Sequence, residues 1–75
     1  MNILVIAVDI HKPFRSNFTE FTSESLDQSV EDYFEDEEVI KDMLSNEVNK
    51  DDESLTIETE MYTYLFFNKD YEHKE

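Results

Sequence analysis

Five carboxylates in the middle of this sequence are spaced so that they could act together. They step along the chain by four, four, three and four residues: Asp27, Glu31, Glu35, Glu38 and Asp42. On an α-helix this spacing forms one stripe, with neighbouring Cβ atoms ~5–6 Å apart. Phosphates along a nucleic-acid strand repeat on a similar length scale, so a protein groove that binds such a strand could accept the stripe instead.

Negative charge is concentrated around this stripe. Sixteen of the twenty acidic residues lie between Glu20 and Glu60, with only Lys41 and Lys50 among them, and the formal net charge is −14. A run of acids is most often a solvated helix face. Like charges at i,i+4 nevertheless destabilise a helix by ~0.2–0.5 kcal/mol per pair, and a sequence selected only for solubility would intersperse lysines. We therefore expect a basic protein partner, and no direct binding to nucleic acid or to a membrane.

The composition excludes several kinds of chemistry. The chain has no cysteine and no glycine, which removes thiolate nucleophiles, sulfur-ligated zinc, glycine-rich phosphate loops and the turn of a calcium loop. Residues 51–53 are therefore interpreted as a hydrated acidic loop. Asp9 and His11 lack a third catalytic partner, so a surface or capping role is expected for them. We expect no catalytic residue, no metal, no cofactor and no enzymatic activity.

The location expected from the sequence is cytoplasmic. The absence of cysteine is compatible with a reducing compartment. The apolar run at residues 3–8 is too short to span a bilayer and lacks the flanking residues of a secretory signal.

The sequence pattern of the first half of the chain predicts two strands and a helical segment. Residues 3–10 are rich in β-branched side chains, which is typical of a central strand with both faces covered. Residues 14–22 predict a second, more exposed strand. Ser25 and Gln28 form a capping-box pattern that begins a helix reaching to about Glu47. Glu37 falls on the apolar stripe of this helix. A charge at that position is the reason to consider a break near residues 35–38 as the alternative to a straight helix.

The second half predicts a connector and more strand. Residues 49–54 are polar and acidic. Residues 55–67 alternate in hydrophobicity, which indicates one long strand or two short ones, and the lack of a turn dipeptide favours a bulge near Glu60 over a tight hairpin. The prediction is an α+β fold, a small and mostly antiparallel sheet with the acidic helical segment on one face. One domain over residues 1–68 is followed by a solvated tail over residues 69–75.

The junction between the exposed strand and the acidic helix resembles a known family. Glu24-Ser25-Leu26 followed by acids is similar to the uracil-DNA glycosylase inhibitors of phage and staphylococcal origin, which are small acidic DNA mimics. The staphylococcal type has a Glu-Ser-Ile followed by paired acids on a helix. The phage type has a Glu-Glu-Val-Ile-like segment, which Glu37-Glu38-Val39-Ile40 resembles. The resemblance covers about seventeen residues, 24–40.

This resemblance implies particular binding residues. Glu24, Ser25 and Leu26 would enter the enzyme's DNA groove, and further phosphates would be replaced by Glu31, Asp32 and Glu35. The family also has an apolar pocket that sequesters a protruding leucine of the glycosylase. Its lining here is expected from residue type and position to be Val30, Phe34, Met61, Tyr62 and Tyr64. The sequence departs from the phage inhibitor in having fewer apparent strands and in opening with a strand instead of a helix.

The function expected from the sequence is inhibition of uracil-DNA glycosylase by DNA mimicry, by a monomer or a small homodimer. One alternative is a mimic aimed at another host enzyme, such as a restriction or CRISPR nuclease. The other is a small non-catalytic subunit that binds through its aromatic strand.

Overall fold

Residues 1–71 form a five-stranded antiparallel sheet and two short α-helices. The computed structural model describes residues 1–71. The strands are β1 (Asn2–Asp9), β2 (Asn17–Thr22), β3 (Glu47–Lys50), β4 (Ser54–Glu58) and β5 (Tyr62–Asn68), and the helices are α1 (Leu26–Phe34) and α2 (Glu37–Leu44). The strand order is β2-β1-β5-β4-β3. The predicted α+β class is confirmed.

The first predicted strand is β1, which lies between β2 and β5. Val5 is opposite Thr19 of β2 on one side and opposite Phe66 of β5 on the other. The second predicted strand begins later than expected, because Pro13–Arg15 form a 3-10 turn. Proline has a fixed φ and no backbone N–H to offer a strand. Asp9 has the expected capping role, since its Oδ1 accepts hydrogen bonds from the next two free backbone amides, those of residues 11 and 12.

The helical segment is broken, which settles between the two alternatives that the sequence left open for residues 35–38. The α1 helix ends at Phe34, and Glu35 takes a φ of 63°, in a region that favours glycine. Asp36 then caps α2, because its Oδ1 accepts from the backbone N–H of Glu38 at 2.9 Å. The segment between Leu44 and the predicted helix end contains no further helix, since Glu47–Lys50 form the edge strand β3.

The predicted bulge near Glu60 is wrong, because β4 and β5 form a hairpin closed by residues 59–61. Glu58 pairs with Thr63, and the backbone N–H of Thr59 donates to the carbonyl of Tyr62. Without a glycine, a side chain makes the turn. Thr59 Oγ1 donates to the Tyr62 carbonyl at 2.8 Å and accepts from the Tyr62 N–H at 2.9 Å.

The residues after β5 contact the start of β1. The Lys69 N–H donates to the Asn2 carbonyl, and the Asp70 carboxylate accepts from the backbone and side-chain nitrogens of Asn2 at 2.8 and 3.0 Å. These hydrogen bonds lower the pKa of Asp70. The predicted tail therefore starts with two residues that are tied to the sheet, and residues 72–75 lie outside the described residues. The single domain over residues 1–68 stays a prediction.

The core lies between one face of the sheet and α1. Its seven residues come from three strands and the helix: Ile3, Val5, Leu26, Val30, Leu55, Ile57 and Phe66. Phe66 is fully buried and meets the rings of Tyr33 and Phe34 at centroid distances of 5.6 and 6.1 Å. Both helices lie on this side, and within residues 1–71 neither of them has the length and apolar character needed to cross a membrane.

The backbone at Glu35 generates a test of the helix break. Replacing Glu35 with glycine removes the steric cost of a positive φ and should stabilise the fold by roughly 0.5–1 kcal/mol, about 4 °C in Tm. The matched variant Glu31→Gly removes the same charge from a helix interior and should destabilise the fold by a similar amount. Thermal unfolding followed by circular dichroism measures both. A loss of stability in both variants would contradict the break at Glu35.

Candidate partner-binding surface

The junction between β2 and α1 positions the residues that carry the family resemblance. Ser25 has an extended backbone, and its Oγ accepts a hydrogen bond from the Gln28 N–H at 3.0 Å, which caps α1. Glu24 is exposed beside it. Leu26, in contrast, is 6% exposed and packs in the core, so it anchors the junction from below and does not reach the surface.

Asp32 holds this junction in place. Its Oδ2 accepts from the hydroxyl of the buried Ser23 at 2.7 Å, and its Oδ1 accepts from Gln28 Nε2 at 3.1 Å. Gln28 therefore does not return to Ser25, and only half of the expected capping box is formed. The hydrogen bond from Ser23, followed by that from Gln28, lowers the pKa of Asp32 below its ordinary 3.8. Asp32 is thus first a clamp between strand and helix, although it is exposed to a partner as well.

An open polar groove lies over this clamp. It has a volume of about 570 Å³ and is lined by Met1, Thr22, Ser23, Glu24, Gln28 and Asp32. We call it the junction groove. Two of the predicted partner-binding residues, Glu24 and Asp32, are brought together here.

The acidic stripe predicted for a continuous helix is divided. Asp27 makes a 2.7 Å ion pair with Lys50 of β3, and the break at Glu35 separates the α1 acids from those of α2. Glu31 and Glu37 instead line a second groove of about 470 Å³, whose floor includes Ile40 and Leu44. All helix acids remain exposed. The break thus divides the helix acids into two groups. Glu37 was not predicted as a groove residue, although its spacing of three to Ile40 and seven to Leu44 places these three side chains on one helix face.

The five residues predicted for the apolar pocket separate into two layers. Met61, Tyr62 and Tyr64 line an open groove of about 470 Å³ between the end of α2 and the β4–β5 turn. We call it the tyrosine groove. Val30 is 1% exposed and belongs to the core, and Phe34 packs against the inner side of Tyr64 at 5.1 Å.

The tyrosine groove combines an apolar floor with an acidic margin. The rings of Tyr62 and Tyr64 are stacked with centroids 5.8 Å apart, and Asp42 and Glu60 lie at the margin. Burial, followed by the nearby Tyr33 and Tyr62, raises the pKa of Tyr64 above its usual value, which keeps the Tyr64 ring neutral at pH 7. Met43, Asn46 and Thr59 complete the lining. None of the three was predicted as a pocket residue, because the sequence does not show that the end of α2 lies beside the β4–β5 turn.

Other kinds of site have little support in the described residues. Among residues 1–71, no three acidic or histidine side chains are grouped so as to hold a metal ion. In the comparisons with known proteins, no family model, no curated protein and no solved structure matches the chain. The family resemblance therefore depends on residues 24–40 alone.

The Asp32 clamp predicts a stability that depends on pH. Because folding lowers its pKa, Asp32 stabilises the fold above the unfolded pKa near 3.8, and this contribution is lost as pH falls through the lower folded value. Asp32→Asn should lower Tm at pH 7, and the difference from wild type should shrink as the pH is taken below 3.8.

Ser23→Ala serves as the matched variant, since it removes the largest cause of the shift. The double variant should lose less than the sum of the two single losses, because both act on one interaction. Thermal melting between pH 7 and about 2.5 measures the effect. A Tm difference that stays constant over this range would contradict the clamp.

Proposed function

We propose that the protein is an acidic DNA mimic that occupies the DNA-binding groove of a basic host enzyme, with uracil-DNA glycosylase as the target. One observation carries the proposal. Sixteen acids lie between Glu20 and Glu60 against two lysines, and one of those lysines, Lys50, is already engaged by Asp27. Such a surface attracts a groove built to neutralise phosphates and raises the rate of encounter with it.

The junction supplies the part of the surface with fixed geometry. It directly follows β2, which is an edge strand with one side unpaired. An exposed edge can enter a groove that a bulkier element cannot. Glu24 offers its carboxylate there, and the Ser25 hydroxyl, which accepts from the helix backbone, still has its proton to donate. Charge-assisted hydrogen bonds at such fixed positions are stronger than the long-range attraction between an exposed carboxylate and a basic surface.

The tyrosine groove supports the second element of the proposal, the capture of a protruding apolar side chain. Its floor of tyrosine rings and Met61 would bury such a side chain, while Asp42 and Glu60 would meet basic residues around it. This combination matches what the family resemblance implies, although Val30 and Phe34 act only from beneath.

The position of the aromatic strand weighs against the subunit alternative. β5 lies in the centre of the sheet, hydrogen-bonded to β1 on one side and to β4 on the other. It therefore has no free edge with which to complete a partner's sheet. A mimic aimed at a different nucleic-acid enzyme uses the same surface, and the choice between targets is made by assay.

A uracil-excision assay titrated with the protein tests the proposal. Glu24→Gln keeps the shape and the Ser25 cap but removes one charge, and it should raise the inhibition constant about 10-fold to 100-fold, equivalent to one charge-assisted hydrogen bond of ~1.5–3 kcal/mol. The matched control Asp52→Asn removes one exposed loop charge and should change it less than about threefold, because its attraction is screened.

Two results would contradict this account. Equal inhibition by the two variants would reduce the junction to part of a general acidic surface. A wild-type protein that leaves uracil excision unchanged but blocks DNA binding by a restriction or CRISPR nuclease would move the target to that enzyme.

A further inference from the structure

The sheet has a second face, which the helices do not cover. Side chains alternate along each strand, so the residues that flank the core residues point away from α1. This open face carries six apolar side chains from β1, β2 and β5: Leu4, Ile6, Val8, Phe18, Leu65 and Phe67. Five of them are partly buried, and Phe18 is 69% exposed.

The register shows that these side chains are continuous. Phe18 is opposite Ile6, and Ile6 is opposite Leu65. In the next row, Leu4 is opposite Phe67. An antiparallel sheet with one solvated face normally has polar residues on that face. The internal strands β1 and β5 have mostly apolar residues there, which is why the sequence of β1 predicts a strand with both faces covered. The outward residues of β4, in contrast, are Ser54, Thr56 and Glu58. Within residues 1–71, neither helix covers the even-numbered residues of β1.

The margin of the open face is polar and has acidic residues on both sides of the apolar centre. Glu20 makes a 3.2 Å ion pair with Lys69 on the β2 side. Glu58 and Glu47 lie at the opposite margin, on β4 and β3, beyond Thr63. An apolar centre with a polar margin is the usual arrangement of a protein interface.

We propose that the open face is a homodimer interface, in which two copies of this chain pack sheet against sheet. A basic partner bound by the helix acids lies on the other side of the sheet and cannot also cover this face. A second copy is suited to it because the centres of the two faces are uncharged and apolar.

Self-repulsion between the two helix layers does not oppose this arrangement strongly, whereas Glu47 and Glu58 at the margin of the open face would lie closer to the second copy. Two packed sheets lie ~10 Å apart and each helix layer adds a diameter of ~10 Å, so the two acidic layers would be roughly 30 Å apart. The Debye length at physiological salt is ~8 Å, so their repulsion is largely screened. Both acidic layers point outward, and a dimer can bind two target molecules.

The available area sets the expected strength. Five strands at ~4.8 Å spacing and ~3.4 Å rise per residue make a face of roughly 500 Å². Two copies would therefore bury roughly 1,000 Å², which is near the lower limit for a specific interface. The dimer is consequently weak and depends on concentration. Added salt should strengthen the dimer, because it screens the repulsion between the two acidic copies. Added salt should weaken target binding, because it screens the attraction to a basic groove.

Sedimentation equilibrium on the full chain tests the interface. The wild-type protein should approach twice its chain mass of 9.0 kDa as concentration and salt are raised. Phe18→Lys should weaken the dimer about tenfold or more, because it places a charge in the apolar surface beside Ile6 and removes its most exposed aromatic ring. The matched control Phe14→Lys changes a phenylalanine that is 83% exposed in the Pro13–Arg15 turn, outside the strands, and should dimerise like wild type.

Several outcomes would overturn the interface. The interface is contradicted if the wild-type protein stays at 9.0 kDa up to about 1 mM. It is also contradicted if wild type and Phe18→Lys dimerise equally well. If the chain is monomeric and Phe18→Lys instead weakens inhibition of the glycosylase, the face belongs to that target. Dimerisation is measured without any target, so its failure and the failure of DNA mimicry are distinguishable.

Discussion

The packing of one short helix against one sheet face must hold together a chain that carries a formal net charge of −14. Seven buried side chains form that contact, with Phe66 at its centre and Val30 of α1 above it. Burial of apolar area is the main favourable term in folding, while like charges brought close together oppose it. The fold meets this constraint by keeping the helix acids exposed and by using few of them internally. Three carboxylates of the helical layer are engaged in this way: Asp32 clamps β2 to α1, Asp36 caps α2 and Asp27 pairs with Lys50 of β3.

The same constraint produces two unlike sides. On one side, the break at Glu35 divides the acids into two groups, beside which the β2–α1 junction and the tyrosine groove lie. On the other side, the strands show an apolar surface around Ile6 and Leu65. The two proposed interfaces, one between the acidic side and a basic groove and one between the apolar side and a second copy, would not interfere with each other, because the sheet separates them.

The elements that the sequence predicted well are those with a strong local signal. Ser25 begins α1 because a hydroxyl at that position satisfies a free backbone N–H, and β1 follows from its β-branched run. β3 was missed because its four residues are all exposed and only Val48 is apolar, so no alternation marks it. The β4–β5 hairpin was missed because Thr59, and not a glycine or asparagine, makes the turn. For the candidate site, the residue types and the exposure of the acidic side chains were predictable, but which of these side chains lie together was not. Which acids share a groove depends on the angle between α1 and α2, and that angle depends on tertiary packing.

The central proposal is that the exposed carboxylates bind the phosphate-binding groove of a nucleic-acid enzyme. Its most direct test is the association rate constant for uracil-DNA glycosylase, measured by stopped flow over a range of ionic strength. Electrostatic steering should make the rate constant fall about tenfold or more as salt rises from about 0.05 to 0.5 M, while the dissociation rate constant changes little. An association rate constant that does not depend on salt would contradict the claim and leave the acids as a solvated face.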